Sequence, residues 1–163
     1  MKKILIFGGI NSGKSAFAEK KILEISNKKP YYIATYLEEF CDNEMKEKIK
    51  NHKLKREGNF INLEEPYDVN RRVKEGESYL VDCLSMLIFN NLDNQERLFE
   101  QLELLSSKDS DIVFVLNDVS SGVLPADYES RTFVKLSGLV AQMVADFCDE
   151  VYEVKFGLVR QWK

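Results

Sequence analysis

The sequence predicts an α/β fold with a mainly parallel sheet and an antiparallel hairpin at its C-terminal edge. Three observations point there. Short apolar runs alternate with helical patterns along the chain. A glycine-rich turn follows the first of those runs and opens a helix. The last residues alternate with period two around Lys155-Phe156-Gly157.

The elements follow in order. Lys3 to Phe7 is a continuous β-branched and aromatic run that stops at Gly8-Gly9, as a strand buried on both faces does. Ser15 to Ile25 carries Phe17, Ile22 and Ile25 among good helix formers. Tyr31 to Ala34 is a second strand, entered after Pro30. Glu44 to Arg56 reads as a charged helix and Tyr79 to Val81 as a third strand ending at Asp82. Glu96 to Leu105 has Leu98, Phe99, Leu102 and Leu105 at helical spacing. Ile112 to Leu116 is the most strand-like stretch, and Phe133 to Phe147 is a long helix. Val151 to Val154 and Leu158 to Trp162 form the terminal hairpin. Gly58-Asn59 and Glu75 to Ser78 are turns within one domain spanning 1–163.

Composition narrows the class. The 163 residues are 44% hydrophobic and 31% charged, the balance of a globular protein rather than a disordered one. A net charge of −4 argues against nucleic acid as a partner. No apolar run reaches the roughly 20 residues of a membrane span, and the apolar stretch after Lys2-Lys3 is too short for a signal peptide. Cys41, Cys83 and Cys148 lie far apart, and one histidine without a CxxC leaves no zinc signature. These bounds predict a cytoplasmic protein.

Gly8-Gly9-Ile10-Asn11-Ser12-Gly13-Lys14-Ser15 matches GxxxxGK[ST] in full, between a strand and a helix. Glycines let the backbone curl so that successive N–H groups face phosphate oxygens, and the helix N-terminus adds positive partial charge. Lys14 is placed to reach the β and γ phosphates, and the Ser15 hydroxyl to bind Mg²⁺. Asp82, at a strand end, is the expected carboxylate partner of that Mg²⁺; its other reading is a strand-terminal cap. Asp118 reads equally as a base or metal contact near an acceptor hydroxyl and as a local turn residue. Cys83 reads as a small buried residue rather than a reactive thiol.

From Lys46 to Arg56 the chain has six basic residues against Glu47 alone. Met45, Ile49 and His52 share a helical face, so the only histidine sits among apolar residues. Two readings fit: a core-facing histidine on a solvated lysine helix, which this stretch alone favours, or an imidazole held over a bound triphosphate.

These pieces together resemble the bifunctional adenosylcobinamide kinase and adenosylcobinamide-phosphate guanylyltransferases of cobalamin biosynthesis. The resemblance rests on the phosphate loop, Tyr32-Ile33-Ala34-Thr35, Glu44-Met45 through Ile49 to His52, Val81-Asp82-Cys83-Leu84, Asn90-Asn91 and Gly122 to Pro125. It implies a P-loop, RecA-like α/β domain, and His52 as the nucleophile that takes GMP from GTP. It implies nucleotide contacts at Ala34, Thr35, Tyr36, Lys53, Leu54, Lys55, Arg56, Glu64 and Asp82, besides Gly8 to Ser15. It further implies ATP and GTP as substrates, Mg²⁺ as cofactor, adenosylcobinamide and its phosphate as acceptors, and a homotrimer. The alternatives are a monofunctional small-molecule kinase and a non-catalytic GTP-binding module. The sequence departs from the family pattern at Asn11, where an arginine is usual, and at Asp118 and Ser120, which replace glutamate and glycine.

Overall fold

The computed structural model describes residues 1–37, 43, 47, 58–119 and 122–163. Seven strands form one sheet in the order β3-β2-β4-β5-β1-β6-β7. They are β1 (Lys3–Gly8), β2 (Tyr31–Ala34), β3 (Ile61–Glu64), β4 (Ser78–Asp82), β5 (Asp111–Asn117), β6 (Glu150–Lys155) and β7 (Leu158–Gln161). Every pairing is parallel except β6 with β7. The helices are α1 (Lys14–Ile25), α2 (Leu84–Asn90), α3 (Gln95–Ser107) and α4 (Tyr128–Phe147). The predicted parallel sheet with its antiparallel terminal hairpin is therefore the fold observed.

Two apolar layers sandwich the sheet, and strand alternation divides the side chains between them. Along β5, Ile112, Phe114 and Leu116 join the layer containing α2, α3 and α4, whereas Val113 and Val115 join the layer containing α1. On β1, Leu5 faces the first layer while Ile4 and Ile6 face Ala18 and Ile22 of α1. Both faces are covered, which is why these strands read as unbroken apolar runs. Each such side chain contributes on the order of 1.5–3 kcal/mol by leaving water.

Three features differ from expectation. Strand β3 carries little strand signal in the sequence: Ile61, Asn62 and Glu64 are exposed, so its apolar pattern is weak. It is held by parallel pairing to β2, with the Ile61 N–H donating to the Pro30 carbonyl and the Glu65 N–H to the Ala34 carbonyl. Helix α2 also went unread, because Leu84, Ser85, Leu87 and Ile88 are all buried and no polar face breaks the run. Helix α4 begins five residues before Phe133, its polar first turn capped by Asp127, which accepts from the Ser130 N–H at 2.8 Å.

Of the predicted helix from Glu44 to Arg56, Glu47 alone is described, and it is helical and exposed, as is Asn43 just before it. No described helix is long and apolar enough to cross a membrane.

Candidate active site

The parallel strands bring their C-terminal ends to one edge, and the described candidate residues gather there. Register sets Glu64 beside Ala34 and Ala34 beside Asp82 across β3, β2 and β4. On the far side of β5, Gly8 lies beside Asn117. Open parallel sheets place ligands at this edge.

The phosphate loop leaves β1 at Gly8. A Cβ there would lie 2.2 Å from the Val154 carbonyl oxygen and 2.8 Å from Ser12 Oγ, so the position admits only glycine. Asn11 (φ 57°) and Gly13 (φ 95°) take left-handed conformations that turn the loop into α1. Gly13 offers the helix no side-chain cap, and no acidic residue occupies the first turn. The leading N–H groups of α1 are thus left for an anion. The Ser12 hydroxyl is buried within the loop without a hydrogen-bond partner. Lys14 is buried and folds back over the loop, its Nζ donating to the Gly9 carbonyl at 3.1 Å.

Ser15 follows Lys14 in the first turn of α1, and α1 packs its Ala18 and Ile22 against Leu80 of β4. Asp82 ends β4, and its Oδ2 accepts from the Tyr32 hydroxyl at 2.5 Å. Among the described residues no cluster of three or more His, Cys, Asp or Glu could enclose a metal ion. A cation held by Ser15 and Asp82 would complete its shell with phosphate oxygens and water. That is the habit of Mg²⁺, so this donor set fits it.

Thr35 is fully buried, its Oγ1 donating to the Cys83 carbonyl at 2.7 Å and accepting from the Cys83 N–H at 3.0 Å. Asn90 Nδ2 donates to both the Thr35 and Pro66 carbonyls, at 2.8 and 2.9 Å. The Thr35 side chain therefore fixes the end of β2 against the residue after Asp82, and its hydroxyl is committed to that bond pair. Ala34 is buried, Tyr36 half-buried and Glu64 exposed at the sheet margin. His52, Lys53, Leu54, Lys55 and Arg56 lie outside the described residues.

Asp118 donates its N–H to the Gly8 carbonyl at 2.9 Å and lines a cavity of about 260 Å³ beside the loop. Burial holds the Cys83 thiol up at about 11, in keeping with an inert residue. Two contributors carry no local signal of their role in the sequence. Tyr32 looks like any aromatic strand residue, and only the register that sets β2 beside β4 reveals its hydroxyl partner. Phe156 looks like a hairpin residue, and only the contact of that hairpin with the phosphate loop places it at the cavity.

A family model described as cobinamide kinase / cobinamide phosphate guanyltransferase matches residues 4–161. The chain belongs to that family. The bifunctional adenosylcobalamin biosynthesis protein CobP of Pseudomonas aeruginosa is 34% identical, covering 94% of this chain and 93% of its own. The corresponding protein CobU of Escherichia coli is 27% identical over 95% and 96%. The fold is also that of a solved Pyrococcus horikoshii protein (TM-score 0.54, 14% identity, covering 99% of this chain and 86% of that one). The flagellar accessory protein FlaH of Methanocaldococcus jannaschii is similar as well (TM-score 0.50, 16% identity, 99% and 78%). The family is thus built here on a P-loop α/β sheet, and its two activities make the chain a transferase of cobalamin biosynthesis.

Proposed function

We propose that this chain carries out both family reactions as one domain: phosphorylation of adenosylcobinamide by a nucleoside triphosphate, then transfer of GMP from GTP to the resulting phosphate. The observation that carries the reading is the uncapped start of α1 facing a glycine loop in which Lys14 already folds over the backbone. Such a loop binds phosphate whichever reaction follows.

In the kinase step Lys14 exchanges the Gly9 carbonyl for the β and γ phosphates, offsetting charge on the group in flight. Ser15 and Asp82 would hold Mg²⁺, which when bound supplies charge neutralisation at the transferring phosphoryl group. Tyr32 keeps the Asp82 carboxylate oriented, and Thr35 fixes the backbone that follows it. The acceptor is the aminopropanol hydroxyl of adenosylcobinamide, and Asp118 is suited by position to face it.

In the guanylyl step the His52 imidazole attacks the α-phosphorus of GTP. A nitrogen–phosphorus bond forms, the bond to pyrophosphate breaks, and the histidine carries GMP until the acceptor phosphate displaces it. An imidazole with a pKa near 6.5 is largely neutral at pH 7 and so retains its lone pair. Lys53, Lys55 and Arg56 supply positive charge for the pyrophosphate, and backbone groups at Ala34 to Tyr36, with Leu54 and Glu64, border the nucleoside. The protein acts in the cytoplasm as a homotrimer, without nucleic acid.

Incubation with adenosylcobinamide and γ-labelled ATP or GTP tests the kinase step. Label should move to the corrinoid, and Lys14→Ala should abolish transfer. Label that never leaves the nucleotide would reduce the chain to a binding module.

A further inference from the structure

Phe156 combines two features that a hairpin residue ordinarily avoids. It is a bulky side chain at φ 56°, in the left-handed region, and it is 86% exposed. Gly157 follows at φ 75° and completes the turn between β6 and β7. Asparagine or glycine would occupy the Phe156 position without strain. Nothing in the packing of the hairpin accounts for the ring, since it makes no ring contact among the described residues other than Lys155 Nζ at 5.5 Å from its centroid.

The turn is fastened to the phosphate loop, because the Gly157 N–H donates to the Ser12 carbonyl at 3.0 Å. Phe156 accordingly lines the same cavity as Gly9, Asn11 and Ser12. Ile10, 85% exposed at the crest of the loop, lines it too. An aromatic ring and an aliphatic side chain thus stand beside a polar cradle. A nucleoside triphosphate anchored by its phosphates carries its sugar and base beyond that cradle. The base presents a flat π-face that packs on aromatic rings in water, regardless of its edge pattern.

We propose that Phe156, together with Ile10, forms an apolar platform for the nucleobase of the phosphoryl donor held on the phosphate loop. The inference rests on the reading that this loop binds the donor's phosphates. Stacking reads no hydrogen-bond pattern, so the platform accepts adenine and guanine alike. Leu158 on strand β7 and Trp162 just after it are also exposed, and a second copy of the chain is the competing occupant of this surface.

The test compares wild type, Phe156→Gly and Phe156→Tyr by calorimetric titration with ATP, GTP and inorganic tripolyphosphate. Glycine suits φ 56°, so this variant removes the ring without straining the turn. Phe156→Gly should weaken ATP and GTP each by roughly ten-fold, within the range that one stacked base contributes. Tripolyphosphate binding should stay unchanged, and Phe156→Tyr should retain wild-type affinity for both nucleotides. In the kinase assay KM for the nucleotide should rise while kcat holds. Unchanged nucleotide affinity in Phe156→Gly, with tripolyphosphate still bound, would overturn the platform alone. An equal loss of nucleotide and tripolyphosphate would show that the ring supports the loop and not the base, which overturns it too. A wild-type chain that binds neither ligand would remove the phosphate-loop reading and the platform together. If sedimentation shows Phe156→Gly changing the assembly state, with nucleotide affinity following it, the ring serves a neighbouring copy and the proposal fails.

Discussion

The Tyr32 hydroxyl donates a 2.5 Å hydrogen bond to Oδ2 of Asp82, from one parallel strand to the next. The ring is buried and packs edge-on against Phe60 at 5.9 Å between centroids, so the hydroxyl has little freedom to point elsewhere. One carboxylate oxygen is thereby held by the protein. Tyr32→Phe should lose about 1 kcal/mol of stability, the usual worth of such a bond. It should also raise several-fold the Mg²⁺ concentration that half-saturates the kinase. A thermal melt and a Mg²⁺ titration of initial rates check the two effects. An unaltered Mg²⁺ requirement would detach Asp82 from the metal.

Gly8 and Gly9 are adjacent in the same loop, yet they face different surroundings. A Cβ at Gly8 would collide with the Val154 carbonyl, whereas a Cβ at Gly9 would meet nothing within 4 Å. Gly8→Ala must push β6 away from β1 and should cost roughly 1–3 kcal/mol, as overpacking does. Gly9→Ala should leave stability within about 0.5 kcal/mol. Denaturant unfolding of the two variants side by side measures the contrast.

Glu150 supplies a pH dependence. Lys2 and Tyr152 both donate to its carboxylate, the latter at 2.7 Å, and Lys21 lies 3.6 Å away. The hydrogen bond from Lys2, then that from Tyr152, hold its pKa below the usual carboxylate value. A depressed folded-state pKa stabilises the protein above the unfolded value, and the contribution disappears as pH falls through the folded one. Glu150→Gln should therefore be less stable than wild type at neutral pH, with the gap closing below about pH 4.5. Chemical denaturation from pH 7 down to pH 3 follows it.

Burial pushes the Cys83 thiol up to about 11 and the Cys148 thiol up to about 12. Neither forms appreciable thiolate at pH 8. Iodoacetamide applied to the folded protein at that pH should alkylate neither residue, whereas unfolding in denaturant should expose both. Peptide mapping of the labelled sites gives the answer, and rapid native labelling of the partly buried Cys83 would contradict its raised pKa.

Much of this arrangement was legible in the sequence because strong local signals carried it. The run from Lys3 to Phe7 had to be a buried strand, and the glycine spacing after it had to curl, so the loop and its Lys14 were readable from residues alone. The hairpin was readable from its alternation, and the helix from Glu96 to Leu105 from its leucine spacing. Tertiary context supplied the remainder. Strand β3 exists because β2 offers it a parallel edge, which no local preference of Ile61 to Glu64 announces. Helix α2 is apolar on its exposed side as well, at Phe89, and so shows no polar face to mark its period. The Thr35 hydroxyl faces the Cys83 backbone, an orientation set by the strand ends. Likewise, the Gly157–Ser12 hydrogen bond that brings Phe156 to the phosphate loop joins residues separated by most of the chain.

The central claim is that His52 takes up GMP from the triphosphate on the phosphate loop, and intact-mass spectrometry tests it most directly. After incubation with GTP and Mg²⁺ and no acceptor, the protein should gain the mass of one GMP in an acid-labile linkage. Peptide mapping should place that mass on His52, and His52→Ala should remain unmodified. An unmodified wild-type protein, or an adduct that persists in His52→Ala, would contradict the account.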